Sequence, residues 1–275
     1  MKRITALTAG MVVAAVAAAS GATATAAGTL PTLALTMTGK SITATSSVPA
    51  GAVNVVSTVS GEAVGSPTLV RLDPGVTFEQ AFGAAIKAGG DPNALDGLAS
   101  IVANPEAFKG VSTVQTVLTA GNYVALDTIA NNPNKWPHVA FTVTDNTAPA
   151  SLAKPQATVG SEEFRFTGPS TLHNGELVRF ENDGYLYHMI IALPAKTKAG
   201  AKALDAALLA GDQRKANKLV SGPPLQLMGT VGRGGMHQQV LKAKPGFYVL
   251  ACFMNTQDGR VHTQLGMERV IRIVK

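Results

Sequence analysis

The sequence predicts an all-β protein built as two tandem β-sandwich domains, each with a helical insertion. Three observations support this fold class. Short apolar or alternating runs rich in Val and Thr are separated by turn residues such as Gly, Pro and Asn. Two longer stretches with helical spacing interrupt these runs. The same order of strand and helix signals recurs in both halves of the 275-residue chain.

The first residues have the pattern of a secretory signal peptide. Lys2 and Arg3 precede an uncharged apolar run from about Ile4 to Ala19, and small residues with A-x-A sites follow. The run is shorter than the ~20 residues that a membrane-spanning helix needs. We therefore expect residues 1–26 to be a Sec-type signal whose removal leaves a secreted, extracytoplasmic protein without a transmembrane anchor.

Charge and cysteine content narrow the function classes. The net charge is +6, of which Lys2 and Arg3 supply two, and the remaining basic residues are scattered. This distribution argues against nucleic acid as a partner. Cys252 is the only cysteine, so it cannot form an internal disulfide. In an exported chain it is therefore a metal ligand, a reactive or intermolecularly bridged thiol, or a small buried hydrophobe.

We place the first domain at residues 32–145. Its strand signals are Ala52–Val59, Thr68–Leu72, Val114–Thr119, Tyr123–Thr128 and His138–Val143. Its helical insertion is predicted over Thr77–Ala88, with a second short helix near Asn93–Ala103. Residues 146–157, which include Pro149 and Pro155 among many small residues, are the predicted linker.

The second domain is predicted at residues 158–275. Its strand signals are Glu163–Thr167, Leu177–Asn182, His188–Leu193, Gln238–Ala243, Phe247–Phe253 and Glu268–Val274. Its helical insertion is Ala199–Val220, where leucines recur at helical spacing among Lys and Asp. The two domains follow the same pattern: for example, Gly121–Leu126 corresponds to Gly246–Ala251. We interpret this agreement over about a hundred residues as a tandem duplication.

Four residues of the second half stand out as candidate metal ligands. His188 begins a strand, and a Cys-x9-His-x4-Met stretch contains Cys252, His262 and Met267. Soft thiolate and thioether ligands suit Cu(I), whereas imidazole suits both Cu(I) and Cu(II). Two His and one Cys in a plane with a weak axial Met are the recurring ligands of electron-transfer copper sites.

The surrounding residues resemble those of a known family. The patterns Asn182-x-Gly184-x3-His188 and Gly246-x-Tyr248-x3-Cys252, followed by Gly266-Met267, are similar to those of the cupredoxins, or blue copper proteins. The long gap between the cysteine and the second histidine resembles the type 1 site of copper nitrite reductases. The resemblance implies tandem Greek-key, cupredoxin-like sandwiches. It also implies one type 1 copper ion bound by His188, Cys252, His262 and Met267.

The first half serves as an internal comparison. In the repeat, Pro67 takes the place of His188 and Asp127 the place of Cys252. We therefore expect a degenerate, cupredoxin-like first domain without a metal site. Trp136, the only tryptophan, is expected to be a core aromatic, with a surface contact as the alternative.

These features favour an exported copper-binding protein that transfers single electrons to an unknown redox partner protein. The alternative is a metal-free cupredoxin-like binding or envelope module with a buried free thiol. The five histidines contain no His-x-His pair, which argues against a multicopper oxidase or nitrite reductase activity. We leave His138, His173 and His237 unassigned as ligands.

Overall fold

A computed structural model gives the fold of residues 29–130 and 132–275. The proposed signal peptide, residues 1–26, lies outside these described residues. The described chain consists mainly of β-strands in three sheets, with three α-helices. This confirms the predicted all-β class with helical insertions.

Within residues 29–130 and 132–144, nine strands and one α-helix form the first half. The strands are β1 (Thr32–Met37), β2 (Ile42–Ala44), β3 (Ser47–Pro49), β4 (Gly51–Gly65), β5 (Pro67–Leu72), β6 (Ala99–Ala103), β7 (Ala107–Leu118), β8 (Gly121–Asp127) and β9 (His138–Thr144). Helix α1 (Phe78–Lys87) lies between β5 and β6. It begins with a capping box, in which Thr77 Oγ1 accepts from the Gln80 N–H and Gln80 Oε1 accepts from the Thr77 N–H.

Nine strands and two α-helices form the second half. The strands are β10 (Ala157–Glu162), β11 (Arg165–Phe166), β12 (Thr171–His173), β13 (Leu177–Asn182), β14 (His188–Ala195), β15 (Leu225–Val231), β16 (Met236–Val240), β17 (Gly246–Ala251) and β18 (Glu268–Val274). Helices α2 (Lys198–Leu209) and α3 (Gln213–Leu219) lie between β14 and β15. The insertion therefore occupies the same place in both halves.

The structure corrects two predicted helices. The proposed helix Asn93–Ala103 is a short 3₁₀ turn at Pro92–Leu95 followed by strand β6, in which Ala99, Ile101 and Ala103 alternate towards the interior. The proposed helix Ala199–Val220 divides at Gly211, which has a φ of +68°, and Asp212 then caps α3. Alternation in β6 and the left-handed backbone at Gly211 prevent a continuous helix.

The duplication extends to the sheet topology. One five-stranded sheet has the order β3-β9-β8-β5-β6, and the other has the order β12-β18-β17-β14-β15. These orders are the same when β1–β9 are matched with β10–β18. The first pair is parallel and the remaining pairs are antiparallel in both sheets. The repeat therefore accounts for every strand that the structure describes in the two halves.

A single eight-stranded sheet joins the two halves. Its order, β11-β10-β13-β16-β7-β4-β1-β2, is symmetric about its middle under the same matching. At the centre, β16 and β7 pair antiparallel, with Gln238 opposite Gln115. The Gln238 Nε2 amide donates to Gln115 Oε1 at 2.9 Å. The halves are thus related by an approximate two-fold axis that passes between these two glutamines.

Each half is a sandwich of its part of this large sheet against its own five-stranded sheet. In the first core, Tyr123 stacks on Phe141 with ring centroids 5.2 Å apart. Tyr123 and its counterpart Tyr248 are both buried, and each hydroxyl donates to the carbonyl four residues earlier. This shared tyrosine contact fixes the alignment of β8 with β17.

The chain between β9 and β10, residues 145–156, contains neither helix nor strand. The proposed limits of the domains, 32–145 and 158–275, and of the linker, 146–157, remain predictions. Across residues 29–130 and 132–275, the helices are too short and too polar to cross a membrane.

Candidate metal centre

Strands β14 and β17 bring two of the predicted ligands to one end of the second sandwich. These strands are antiparallel neighbours, with Ile191 opposite Ala251. His188, at the start of β14, therefore lies near Cys252, which directly follows β17. His262 begins a 3₁₀ turn, His262–Leu265, that precedes β18.

The side chains of His188, Cys252 and His262 converge in the protein interior. The Cys252 Sγ lies 3.8 Å from His188 Nδ1 and 3.4 Å from His262 Nδ1, and the two Nδ1 atoms are 3.2 Å apart. All three residues are at most 1% exposed. Within the described residues, they are the one group of three or more His, Cys, Asp or Glu placed to hold a metal ion.

These distances fit three ligands of a single ion. With metal–nitrogen bonds of about 2.0 Å and a metal–sulfur bond of about 2.3 Å, tetrahedral or trigonal geometry separates nitrogens by about 3.3–3.5 Å and nitrogen from sulfur by about 3.5–3.7 Å. The observed triangle agrees within a few tenths of an ångström. His188, Cys252 and His262 supply the two-imidazole, one-thiolate donor set of a type 1 copper site.

Met267 is completely buried and belongs to the same core cluster as Cys252. Its backbone contacts two of the three converging residues. The Met267 N–H donates to the His262 carbonyl at 3.0 Å, and the Cys252 N–H donates to the Met267 carbonyl at 3.2 Å. This position suits the axial ligand that the sequence predicts, and the role itself remains a prediction.

The nine-residue gap between Cys252 and His262 folds back on itself. Asn255 and Val261 form an isolated antiparallel bridge, and the Thr256 N–H donates to the Arg260 carbonyl at 2.9 Å. The His262 N–H donates to the Met254 carbonyl at 2.8 Å. The additional residues therefore project as a small hairpin and leave His262 next to Cys252.

Asn182 shapes the turn that leads to His188. Its buried side chain donates to the carbonyls of Leu186 at 2.8 Å and Val231 at 3.0 Å, and its Oδ1 accepts from the Gly184 N–H at 2.9 Å. A Cβ at Gly184 would lie 2.9 Å from His188 Nε2. The Asn-x-Gly pattern thus has a structural basis, because the amide closes the turn and only glycine leaves room for the imidazole.

The sequence predicts a strand over Glu163–Thr167 and gives no sign that Glu163 and Phe164 are neighbours of the site. The observed strand is limited to Arg165–Phe166. Phe164 has a φ of +58°, and its ring meets the His262 ring edge-on with centroids 5.2 Å apart. The Glu163 carboxylate accepts from the N–H groups of Tyr185 and Leu186, which lie in the turn before His188. No motif in the sequence signals either contact.

Burial determines the protonation of the three donors. It lowers the pKa of His188 to about 4, with the nearby His262 adding to the shift and Glu163 opposing it. Burial likewise lowers the pKa of His262. The same cause raises the pKa of the Cys252 thiol to about 11, although N–H groups of Met189 and Met254 favour the thiolate. The Met189 N–H lies 3.4 Å from Sγ. The metal-free site therefore contains neutral imidazoles and a protonated thiol at pH 7.

The corresponding place in the first half is occupied differently. Asp127, the counterpart of Cys252, is fully buried, and its Oδ1 accepts from the Ser66 N–H at 2.9 Å. It lies opposite Pro67 in the β5–β8 pairing. Asp127 therefore supports the backbone at a position where the second half carries a thiol.

The other histidines lie apart from the donor cluster. His138 and His173 are exposed, as expected for His173. His237 is fully buried in β16 opposite Phe180. Trp136 is half-buried and packs against the edge of the main hydrophobic core, and its Nε1 donates to the Ala130 carbonyl at 2.6 Å.

No protein-family model and no curated protein matches the sequence. Among solved structures, the chain is similar to auracyanin from Roseiflexus castenholzii, at 19% identity over 43% of this chain and 95% of that one, with a TM-score of 0.26. Auracyanin A from Chloroflexus aurantiacus, a "blue" copper protein, is 18% identical over 42% and 96%, with a TM-score of 0.25. The copper-containing nitrite reductase from Thermus scotoductus is 12% identical over 90% and 69%, with a TM-score of 0.25.

Proposed function

We propose that this protein is an exported cupredoxin that transfers single electrons through one type 1 copper ion. His188, Cys252 and His262 would hold the ion, and Met267 would supply a weaker fourth ligand. The observation that carries the proposal is the buried triangle formed by two Nδ1 atoms and the Cys252 sulfur. When bound there, copper would supply a centre that alternates between two oxidation states.

The surroundings of the donors suit such a role because they hold the ligands rigidly. Backbone hydrogen bonds join Cys252 to Met267, Met267 to His262, and His262 to Met254. The Met189 N–H also points at the thiol sulfur. Ligands that are fixed by the protein need little rearrangement when the charge of the site changes, which favours rapid electron transfer.

His262 offers a route between the site and the surface. His262 borders a surface depression of about 410 Å³. The depression is also lined by Leu186, Tyr187, Asn255 and Thr256. Strands β14 and β17, by contrast, enclose His188 and Cys252. We propose that a redox partner protein docks over this depression and exchanges electrons through the imidazole of His262.

The decisive measurement is copper content together with the visible spectrum of the purified protein. We expect one copper per chain and an intense thiolate-to-copper absorption band in the oxidised form, which one equivalent of reductant removes. Cys252→Ser should abolish the band. Met267→Leu should retain the band and raise the reduction potential, because replacing a weak donor by an apolar side chain disfavours the more highly charged Cu(II) more than it disfavours Cu(I). His173→Ala changes an exposed histidine away from the site, and it should behave as the wild type.

A metal-free binding module is the competing function, since the first half shows that this sandwich keeps its fold without the ligand set. It predicts no stoichiometric copper and one thiol per chain that reacts only after unfolding, because Cys252 is buried. A copper-replete preparation without the absorption band would reject the type 1 site. Cleavage after about residue 26, seen by mass spectrometry of the exported chain, would test the signal peptide.

A further inference from the structure

A second cavity, of about 320 Å³, lies between α1 and the outer face of the first five-stranded sheet. Strand β15 and Met189 of the second half close one side of it. The cavity is separate from the metal-binding donors, none of which lines it. Its volume falls at the lower end of the range of small-molecule sites in proteins, about 300–1,000 Å³.

Half-buried aromatic rings form one wall of this interdomain cavity. Phe78 and Phe82 of α1 stack with centroids 4.8 Å apart and an interplanar angle of 20°. Trp136 lines the cavity with them, and its indole nitrogen is already bonded to the Ala130 carbonyl. Flat rings that keep part of their surface accessible favour a flat apolar partner.

The opposite side carries a connected group of polar side chains. Thr68 Oγ1 and Thr128 Oγ1 are 2.8 Å apart, Thr128 Oγ1 donates to Ser66 Oγ at 3.1 Å, and Ser66 Oγ donates to Asn104 Oδ1 at 3.1 Å. Among the described residues that line the cavity, none is charged. Because hydroxyls can rotate to donate or accept, this group can bind a neutral polar atom of a ligand.

Gln226 provides an independent indication of a ligand. It lines the cavity from β15, and its Nε2 is buried without a hydrogen-bond partner among the described residues. An unpaired buried amide donor destabilises the folded protein, because it has lost its hydrogen bonds to water. An oxygen atom of a bound molecule would satisfy it.

The duplicated second half shows that the fold does not require this cavity. There, α2 covers the equivalent outer face and packs Leu204 and Leu208 against Val249 and Ala251, all of them buried. The tyrosine alignment matches Thr128 with Phe253, so an apolar ring takes the place of a hydroxyl. The first half therefore combines open space and polar groups where the second half has an apolar core.

We propose that the interdomain cavity binds a small, uncharged, planar aromatic molecule that carries a hydroxyl or carbonyl group. The ring packs against Phe78, Phe82 and Trp136. The oxygen meets the Gln226 amide and the hydroxyls of Thr68 and Thr128. This site does not depend on the copper proposal, because both cavity walls exist without a metal.

Isothermal titration calorimetry of the full-length chain with 1-naphthol tests the site. We expect one site per chain, in copper-loaded and copper-free protein alike. Ala85→Phe, which places a ring in the cavity, should weaken binding at least tenfold, whereas Ala84→Phe on the same helix changes a residue outside the lining and should not. Gln226→Met and Thr128→Val remove polar atoms at nearly constant shape. Each should weaken binding about fivefold, by the cost of one hydrogen bond.

Thr142→Val removes an exposed hydroxyl from strand β9 and serves as the control for Thr128→Val. The two polar variants keep the proposal testable if Ala85→Phe fails to fold. Absence of binding at millimolar 1-naphthol would overturn the proposal. The proposal would also be overturned if both polar variants bound 1-naphthol as tightly as the wild type. It would be overturned as well if the charged naphthalene-1-sulfonate bound more tightly than 1-naphthol.

Discussion

Metal loading should release one proton per chain near neutral pH. In the metal-free protein, burial raises the pKa of Cys252 to about 11, so the thiol holds its proton at pH 7.5. His188, with a pKa of about 4, is already neutral, and burial lowers the pKa of His262 as well. Ligation requires a thiolate and neutral imidazoles. Only Cys252 therefore has a proton to lose.

The sign of the pH dependence follows from this count. Between about pH 7 and 11 the metal affinity should rise about tenfold per pH unit, because one proton leaves for each ion bound, and it should level off above pH 11. Below the pKa values of the two imidazoles, the dependence should steepen as they also take up protons.

Calorimetric titration with Zn²⁺, which is redox-inert and accepts the same ligands, measures the count in buffers of different ionisation enthalpy. The slope of observed enthalpy against buffer enthalpy gives the number of protons released. A slope of zero would mean that Cys252 is not a ligand or is already ionised. A slope of two or more would mean that an imidazole is charged in the free protein. Either result would refute the reasoning.

Two further predictions concern stability. Asn182→Ala removes three hydrogen bonds of a buried amide and should lower the free energy of unfolding in urea by about 3 kcal/mol, at about 1 kcal/mol each. The control is Asn174, whose exposed side chain accepts one hydrogen bond, from the Ala243 N–H. Asn174→Ala should lower the free energy of unfolding by about 1 kcal/mol or less. Equal losses in the two variants would contradict the structural role given to Asn182. Burial raises the pKa of Glu106 to about 7 from 4.5, so the folded state holds an extra proton between these values and loses stability as pH rises through them. Glu106→Gln should thus leave the free energy of unfolding almost unchanged at pH 4.5. At pH 8 it should raise the free energy of unfolding by about 2 kcal/mol, after allowance for partial solvation. If urea unfolding gave the same stability difference between Glu106→Gln and the wild type at both pH values, Glu106 would not be the source of this pH dependence.

The donor cluster could be predicted because its signal is local and chemically specific. One loop contains a cysteine, a histidine and a methionine, and a second histidine begins a strand. Few kinds of site other than a copper site use this set of soft ligands. The nine-residue gap before His262 carries no such signal. Its effect depends on the Asn255–Val261 bridge, which spacing alone does not reveal. The structure shows that extra length there extends outwards.

Contacts between segments that are distant in the chain could not be predicted from the sequence. Phe164 reaches His262 only because its backbone has a positive φ, which is uncommon for a bulky residue. The strand-like composition of this segment gives no indication of that backbone conformation. The interdomain cavity likewise depends on how α1 is held above its sheet, which no periodicity encodes. The sequence predicts a helix over Asn93–Ala103 where the structure has a strand, because a short apolar run fits a helix or a strand equally well.

The symmetric arrangement of the halves has a consequence for aggregation. A protein with this many strands risks pairing with other chains wherever a long strand edge is open. Here the large sheet ends in β2 and β11, of three and two residues. Strands β6 and β15 protect each other, because the Gly229 and Gly232 N–H groups donate to the carbonyls of Asn104 and Ile101 at 2.7 and 2.9 Å. Joining two sandwiches in one chain thus turns two vulnerable edges into an internal contact.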